Sequence, residues 1–434
     1  MTKLSWLLGL FAPVLSGAFC CCFGADPSEG STAGDLRPDG TVSPSIVDSS
    51  TLTGKVICGY QGWFNCEGDG ASLGWTHWAR DRRESMGPKN ATVDLWPDLS
   101  ELPAESRFKT RFRHEDGRVA EVFSSATPEV VDMHFRWMQE YGIDGVFLQR
   151  FANGLDQGPL QRHKDHVLDL VRSEAARKGR VYGIMYDLSG LRNGQVRRVL
   201  SDYRQLMEEH AFDRDARYLK HRGKPLVAVW GIGFNDGRRY TLSECVALVE
   251  ALKEDGCAVM LGVPSFWRDG TRDATDDEQL KNLIGKADIV SPWTVGRYQT
   301  PQQAIRHAES VWRTDQDWCD ARGVDFLPVA FPGFSWHQLK GSQLNLIPRR
   351  GGDFFWSQVF GANQAGCRML YVAMFDEVDE GTAVFKCDPD PPVSETENFL
   401  SLKETPRDHY LKLVGEAAKG FRGEFKIKRE MPRR

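Results

Sequence analysis

Eight short apolar runs, most of them separated by segments of helical periodicity, constrain this chain more than any other feature. They lie at 55–60, 145–149, 181–186, 226–230, 258–262, 287–291, 326–330 and 369–375. Strand-type runs alternating with helices are what a parallel α/β architecture requires. The intervening periodicity predicts helices at 128–141, 157–178, 194–211, 242–255, 301–321 and 352–364, and a last one at 408–419 closes the series. Eight strand-helix units close into a (β/α)₈ (TIM) barrel. An open doubly wound sheet more often has fewer strands and a phosphate loop, and no GxGxxG or GxxxxGK[ST] follows any run here. A length of 434 residues suits one barrel with insertions. The largest insertion, 61–127, separates the first two strands and predicts a long loop excursion over one barrel face.

Composition narrows the partners. Lys plus Arg number 55 against 60 Asp plus Glu, a formal charge of −5, so nucleic acid finds no general attraction. The 13 Trp include several at strand ends and in loops, where flat apolar rings suit sugar faces. At the N-terminus, Lys3, an apolar run over 4–15 and small residues near Gly24 and Ala25 read as a secretory signal over 1–25, too short to span a membrane. The expected location is periplasmic or extracellular. In the alternative, a lipid anchor on Cys20, Cys21 or Cys22, Phe19 stands where a small residue is wanted. Residues 26–52 read as a flexible leader, 53–425 as a single barrel domain and 426–434 as a basic tail. Seven cysteines remain beyond the signal; Cys58 with Cys66, or Cys245 with Cys257, could pair in an oxidising compartment, and buried free thiols are the other reading.

The segment 370–386, LYVAMFDEVDEGTAVFK, carries the strongest chemical signal. An apolar strand runs straight into Asp376, Glu377, Asp379 and Glu380. Crowded carboxylates repel one another, so enclosure raises some of their pKa values, as acid/base work needs. An acidic turn or a calcium loop is the competing local reading.

DEVDEGT resembles the N-E-W-H-E-G-T signature that follows the last barrel strand in glycoside hydrolase family 99, the endo-α-mannosidase family, with family 71 more distant. Further stations resemble that family in the same order: 59–64, 75–78, 141–150, 223–230, 331–334, 349–356 and 408–412. The resemblance implies a barrel glycosidase with Glu377 as general base and Glu380 as general acid, by a route through a 1,2-anhydro sugar. There the base takes the 2-hydroxyl proton and that oxygen displaces the leaving group, using the large effective molarity of an internal nucleophile. Asp376, Val378 and Asp379 stand where the family shows Asn, Trp and His, which implies retained glycosidase chemistry on a glycan other than mannan.

Barrel active sites lie at the C-terminal strand ends, which makes other residues candidates for substrate binding. These are Trp75, His77 and Trp78 after strand one, Gln149 and Arg150 at strand two, and Tyr186 and Asp187 at strand three. Trp230, Trp293 and Trp336 follow strands four, six and seven, and Asp376 and Asp379 complete the set. His163, Asp165 and His166 lack the spacing of a metal site. No metal, cofactor or protein partner is expected, and Asn90-Ala91-Thr92 is a glycosylation sequon. Three classes follow: an exported glycosidase acting on an oligo- or polysaccharide, a sugar-binding barrel without turnover, and a calcium-stabilised domain.

Overall fold

A computed structural model describes residues 46–432. Seven continuous strands, β1 Val56–Tyr60, β2 Gly145–Phe151, β3 Val181–Asp187, β4 Lys224–Trp230, β5 Ala258–Pro264, β6 Ile289–Trp293 and β8 Leu370–Val372, run parallel in one sheet. The seventh position, β7, is two short pieces, Asp325–Phe326 pairing β6 and Val329–Ala330 pairing β8. With β1 paired to β8 as well as to β2, the ring closes into the expected (β/α)₈ barrel. Pro328, which lacks an N–H, stands at the break in β7.

Alternate side chains divide between two cores. Val56, Cys58 and Tyr60 of β1 face the helices, while Ile57 joins Phe147, Met185, Ala228 and Tyr371 inside the ring. Both faces are buried, so each strand reads as a continuous apolar run. Gly59 shows how full the interior is: a Cβ there would lie 2.2 Å from the Tyr371 hydroxyl.

The helices follow the periodicity closely, as in α1 Pro128–Tyr141, α2 Gly158–Lys178 and α3 Arg197–His210. The 301–321 helix contains a π-helical turn, Ala308–Trp312. A short helix, Glu278–Ile284, fills the gap between β5 and β6 under an Asp277 cap, Oδ1 accepting from Gln279 N. The 61–127 excursion lies over the C-terminal ends of the strands, as Gln61 and Trp63 line the cavity there and the Asp94 and Leu95 amides donate to Val378 O. It contains one hairpin, Phe108–Arg113 against Val119–Val122.

Packing starts before residue 53. Val47 N donates to Gly179 O and Leu52 is fully buried, so the end of the 26–52 leader belongs to the folded unit. The tail also contributes, with Ile427 buried and Lys428 O accepting from Trp356 Nε1. The signal reading and the leader up to residue 45 lie outside the described residues. All seven described cysteines are buried free thiols, and neither disulfide pair forms. Asn90 is buried, its amide bonded to Asp81 and Glu84 carbonyls and its Oδ1 to Asp81 N, so it cannot present itself for glycosylation. No helix among the described residues is long and apolar enough to cross a membrane.

Candidate active site

Strand ends converge on a cavity of about 330 Å³. β8 delivers Glu377 and Glu380, β3 Asp187, β4 Trp230, β6 Trp293, and the turn after β7 Trp336. Gln61, Trp63 and Gln149 close the side nearest β1 and β2. Four of these rings form the walls; the indole N–H groups of Trp63 and Trp230 are buried without a hydrogen-bond acceptor, and that of Trp336 is directed at Glu380. Apolar faces beside unspent donors match the surface of a sugar ring, which presents C–H faces and hydroxyl edges.

The carboxylate loop is held from several sides. Thr382 N and Ala383 N donate to Glu377 O, Ser335 N donates to Glu380 O, and Arg349 Nη2 donates to the carbonyls of Gly381 and Ala383 at 2.8 and 2.6 Å. Gly381 turns at φ 66°, and a Cβ there would press on Ser335 at 3.1 Å.

Inside this frame the two glutamates differ. Glu377 is buried, with Oε1 accepting from Gln61 Nε2 at 2.7 Å and Oε2 from the Thr382 hydroxyl at 2.8 Å. Glu380 keeps part of its surface toward the cavity. Burial first, then the charges of Glu380 and Asp379, pushes Glu377 well above the ordinary carboxyl range. Burial first, then Asp379, raises Glu380 to about 8. The charge on either group disfavours charge on the other, so the pair titrates as a unit, with Gln61 and Thr382 opposing the rise at Glu377 and Trp336 opposing it at Glu380. Asp187, a third cavity carboxylate, is raised to about 6 by burial against the opposing bonds from Ser189.

Several expected contacts have other roles. Asp376 points away from the cavity, its two oxygens accepting from Gln61 N at 2.7 Å and Gly62 N at 2.9 Å. Asp379 is buried and holds His77 Nδ1 at 3.0 Å, and His77 stacks on Trp63 with ring centroids 3.7 Å apart. Both aspartates are positioning residues: Asp376 fixes the backbone at Gln61, and Asp379 fixes His77, on which the wall residue Trp63 stacks. The four acids thus face different partners instead of converging on one cation, contrary to a calcium loop. Trp78 belongs to the core, its Nε1 donating to Phe123 O, and Trp75 is buried beside it. Arg150 makes two bonds to Asp202 at 2.6 Å each and one to Asp165 at 2.7 Å; Tyr186 donates to the same Asp202 at 2.5 Å. The Arg150 and Tyr186 groups are therefore committed to packing beneath the site. Gln149 lines the cavity and donates to the Tyr371 hydroxyl at 3.0 Å. His163 Nε2 donates to Gly62 O while its Nδ1 accepts from Asn65, and His166 bonds Ala126 O, so each histidine has a structural partner.

Gln61, Trp63 and Thr382 enter the site without having been singled out in the sequence. Gln61 and Trp63 directly follow the first strand, the position where a barrel places functional groups, and that position was the available signal.

Removing the Asp376 carboxylate tests this division of labour. Asp376→Ala strands two buried amides and is expected to cost about 2–4 kcal/mol in urea unfolding. It also frees Gln61, so turnover should fall with it; unchanged stability and unchanged turnover would remove Asp376 from the positioning role.

The fold and its cavity define a (β/α)₈ barrel with an acid-lined site at the C-terminal strand ends. Among solved structures, it is similar to the GH99 endo-α-mannosidase from Bacteroides thetaiotaomicron in complex with bis-tris-propane: TM-score 0.62, 16% identity, 86% of this chain and 99% of that chain covered. A glycoside hydrolase-like protein matches with TM-score 0.54 and 12% identity over 86% of this chain and 96% of that one. No protein-family model matches the chain, and no curated protein matches it by sequence. The family 99 resemblance read from ordered motifs thus holds at the level of the fold.

Proposed function

We propose that this chain is a glycoside hydrolase that cleaves an oligo- or polysaccharide with Glu380 as general acid and Glu377 as general base. The observation that carries this reading is the unequal pair of glutamates after β8, Glu377 buried and Glu380 partly exposed, opening on a cavity walled by Trp63, Trp230, Trp293 and Trp336. The similar solved structure is that of an endo-α-mannosidase, which supports the same class of reaction. Departure of a sugar alkoxide needs a proton, and a carboxyl raised to about 8, as Glu380 is, suits that donor role near neutral pH. Glu377, whose two oxygens accept from Gln61 and Thr382, is the group assigned to take a proton from a sugar hydroxyl, as a 1,2-anhydro route requires. The N-terminal apolar run supports export of the enzyme to a compartment where polysaccharide is met.

The test is hydrolysis of a glycan panel of α-mannans, α-glucans, xylans and arabinans by the full chain. Sugar released by wild type and not by Glu377→Gln is the expected result. Binding of a panel member without any hydrolysis would replace the glycosidase with a sugar-binding barrel.

A further inference from the structure

A second cavity, of about 300 Å³, adjoins the first and shares Gln61, Trp63, Gln149 and Phe151 with it. The two differ in charge. The first is lined by Asp187, Glu377 and Glu380 and no cation; the second has no carboxylate on its wall and carries two cations, Arg150, which is already paired, and Lys164. Among the described residues, the Lys164 ammonium has no hydrogen bond or ion pair, although Asp165 is its neighbour in sequence. That aspartate, with Asp202, is committed to Arg150, and neither is on the cavity wall. A Cβ at Gly154 would lie 2.7 Å from Lys164 Nζ, so glycine leaves room for the ammonium. Burial first and Arg150 second lower Lys164 to about 8 against the weaker pull of Asp165 and Asp202, a position in which a bound anion would relieve the cost of the charge. Trp63, on the shared wall, adds a buried N–H without an acceptor.

Resting on the glycosidase reading, we propose that this second cavity is a subsite for a sugar carrying an anionic substituent, a carboxylate or a sulfate ester, paired with Lys164. The substrate is then an acidic glycan, with the charged unit next to the bond placed between Glu377 and Glu380. A partly buried cation without a protein partner gains a charge-assisted hydrogen bond when the anion arrives, and a neutral sugar gives it none.

The test titrates the Glu380→Gln protein with matched pairs of oligosaccharides, neutral against uronate-bearing in one arm and neutral against sulfated in the other. Free glucuronate and inorganic sulfate serve as small competing probes. The acidic member of at least one pair is expected to bind about tenfold more tightly, the size of one partly buried charge-assisted contact. Lys164→Met should erase that preference and Lys164→Arg retain most of it; the melting temperature of both variants confirms that they fold. The arm that responds identifies the substituent. Absence of any preference, absence of binding by every acidic ligand, or a preference surviving in Lys164→Met overturns the subsite. Acidic ligands bound but never cleaved by wild type would sink the glycosidase reading and leave the subsite standing. Neutral glycans cleaved without preference would do the reverse.

Discussion

Glu380→Gln is expected to lower kcat by about 10²–10⁴-fold on a natural glycan, the usual loss when a general acid is removed. The loss should shrink on an aryl glycoside whose leaving group departs without a proton, because only the protonation step is disabled. The pH profile carries the same assignment. In wild type, activity falls as pH rises through about 8, where Glu380 gives up its proton, and that alkaline limb should vanish in the variant. Stability falls with rising pH as well. A carboxyl whose folded pKa lies above its unfolded value contributes stability that is present at low pH and lost as pH rises through the folded value. Wild type therefore loses this contribution between about 4.5 and about 8, and Glu380→Gln should melt higher than wild type at the alkaline end of that window. An equal loss of rate on both kinds of leaving group, with the alkaline limb retained, would deny Glu380 the role of acid.

The sequence exposed this centre because its signal is local. A strand of both-face burial ends in four carboxylates within five residues, and chain direction alone puts them at the active end of a barrel. The same locality found the Trp at the ends of β4 and β6. It failed where the decisive partner is distant in the chain. Asp376 and Asp379 look alike as neighbours of the glutamates, yet Gln61 N, 315 positions away, and His77, 302 away, turn them out of the cavity. Trp75 and Trp78 satisfy the same strand-end rule and are core, since the 61–127 excursion buries both and packs Phe123 against Trp78. Periodicity also misses elements too short to show a period: the seven-residue helix Glu278–Ile284 left only its capping aspartate as a sign.

Arg150 is the sharpest case, and Asp202→Ala is expected to destabilise the fold by about 3–5 kcal/mol, as when one member of a buried ion pair is removed. Read from the strand end, Arg150 resembled a substrate ligand. In the fold its side chain is only 3% exposed, with Nε and Nη2 on the two oxygens of Asp202, which sits on α3, a helix surface the sequence gives no reason to place under β2. The Tyr186 hydroxyl loses its acceptor in the same variant. Asp165 alone remains, with its side chain 40% exposed, and a solvated partner offsets little of a buried charge. The double variant Arg150→Met with Asp202→Leu removes both charges and should recover most of the loss, since an ion pair replaced by apolar packing is often neutral. Urea unfolding measures both differences. Were Arg150 instead a substrate ligand, Arg150→Met alone would raise KM at unchanged stability. The packing predicts the reverse order of effects: a large fall in stability first, with KM changing only as far as β2 shifts the wall formed by Gln149 and Phe151.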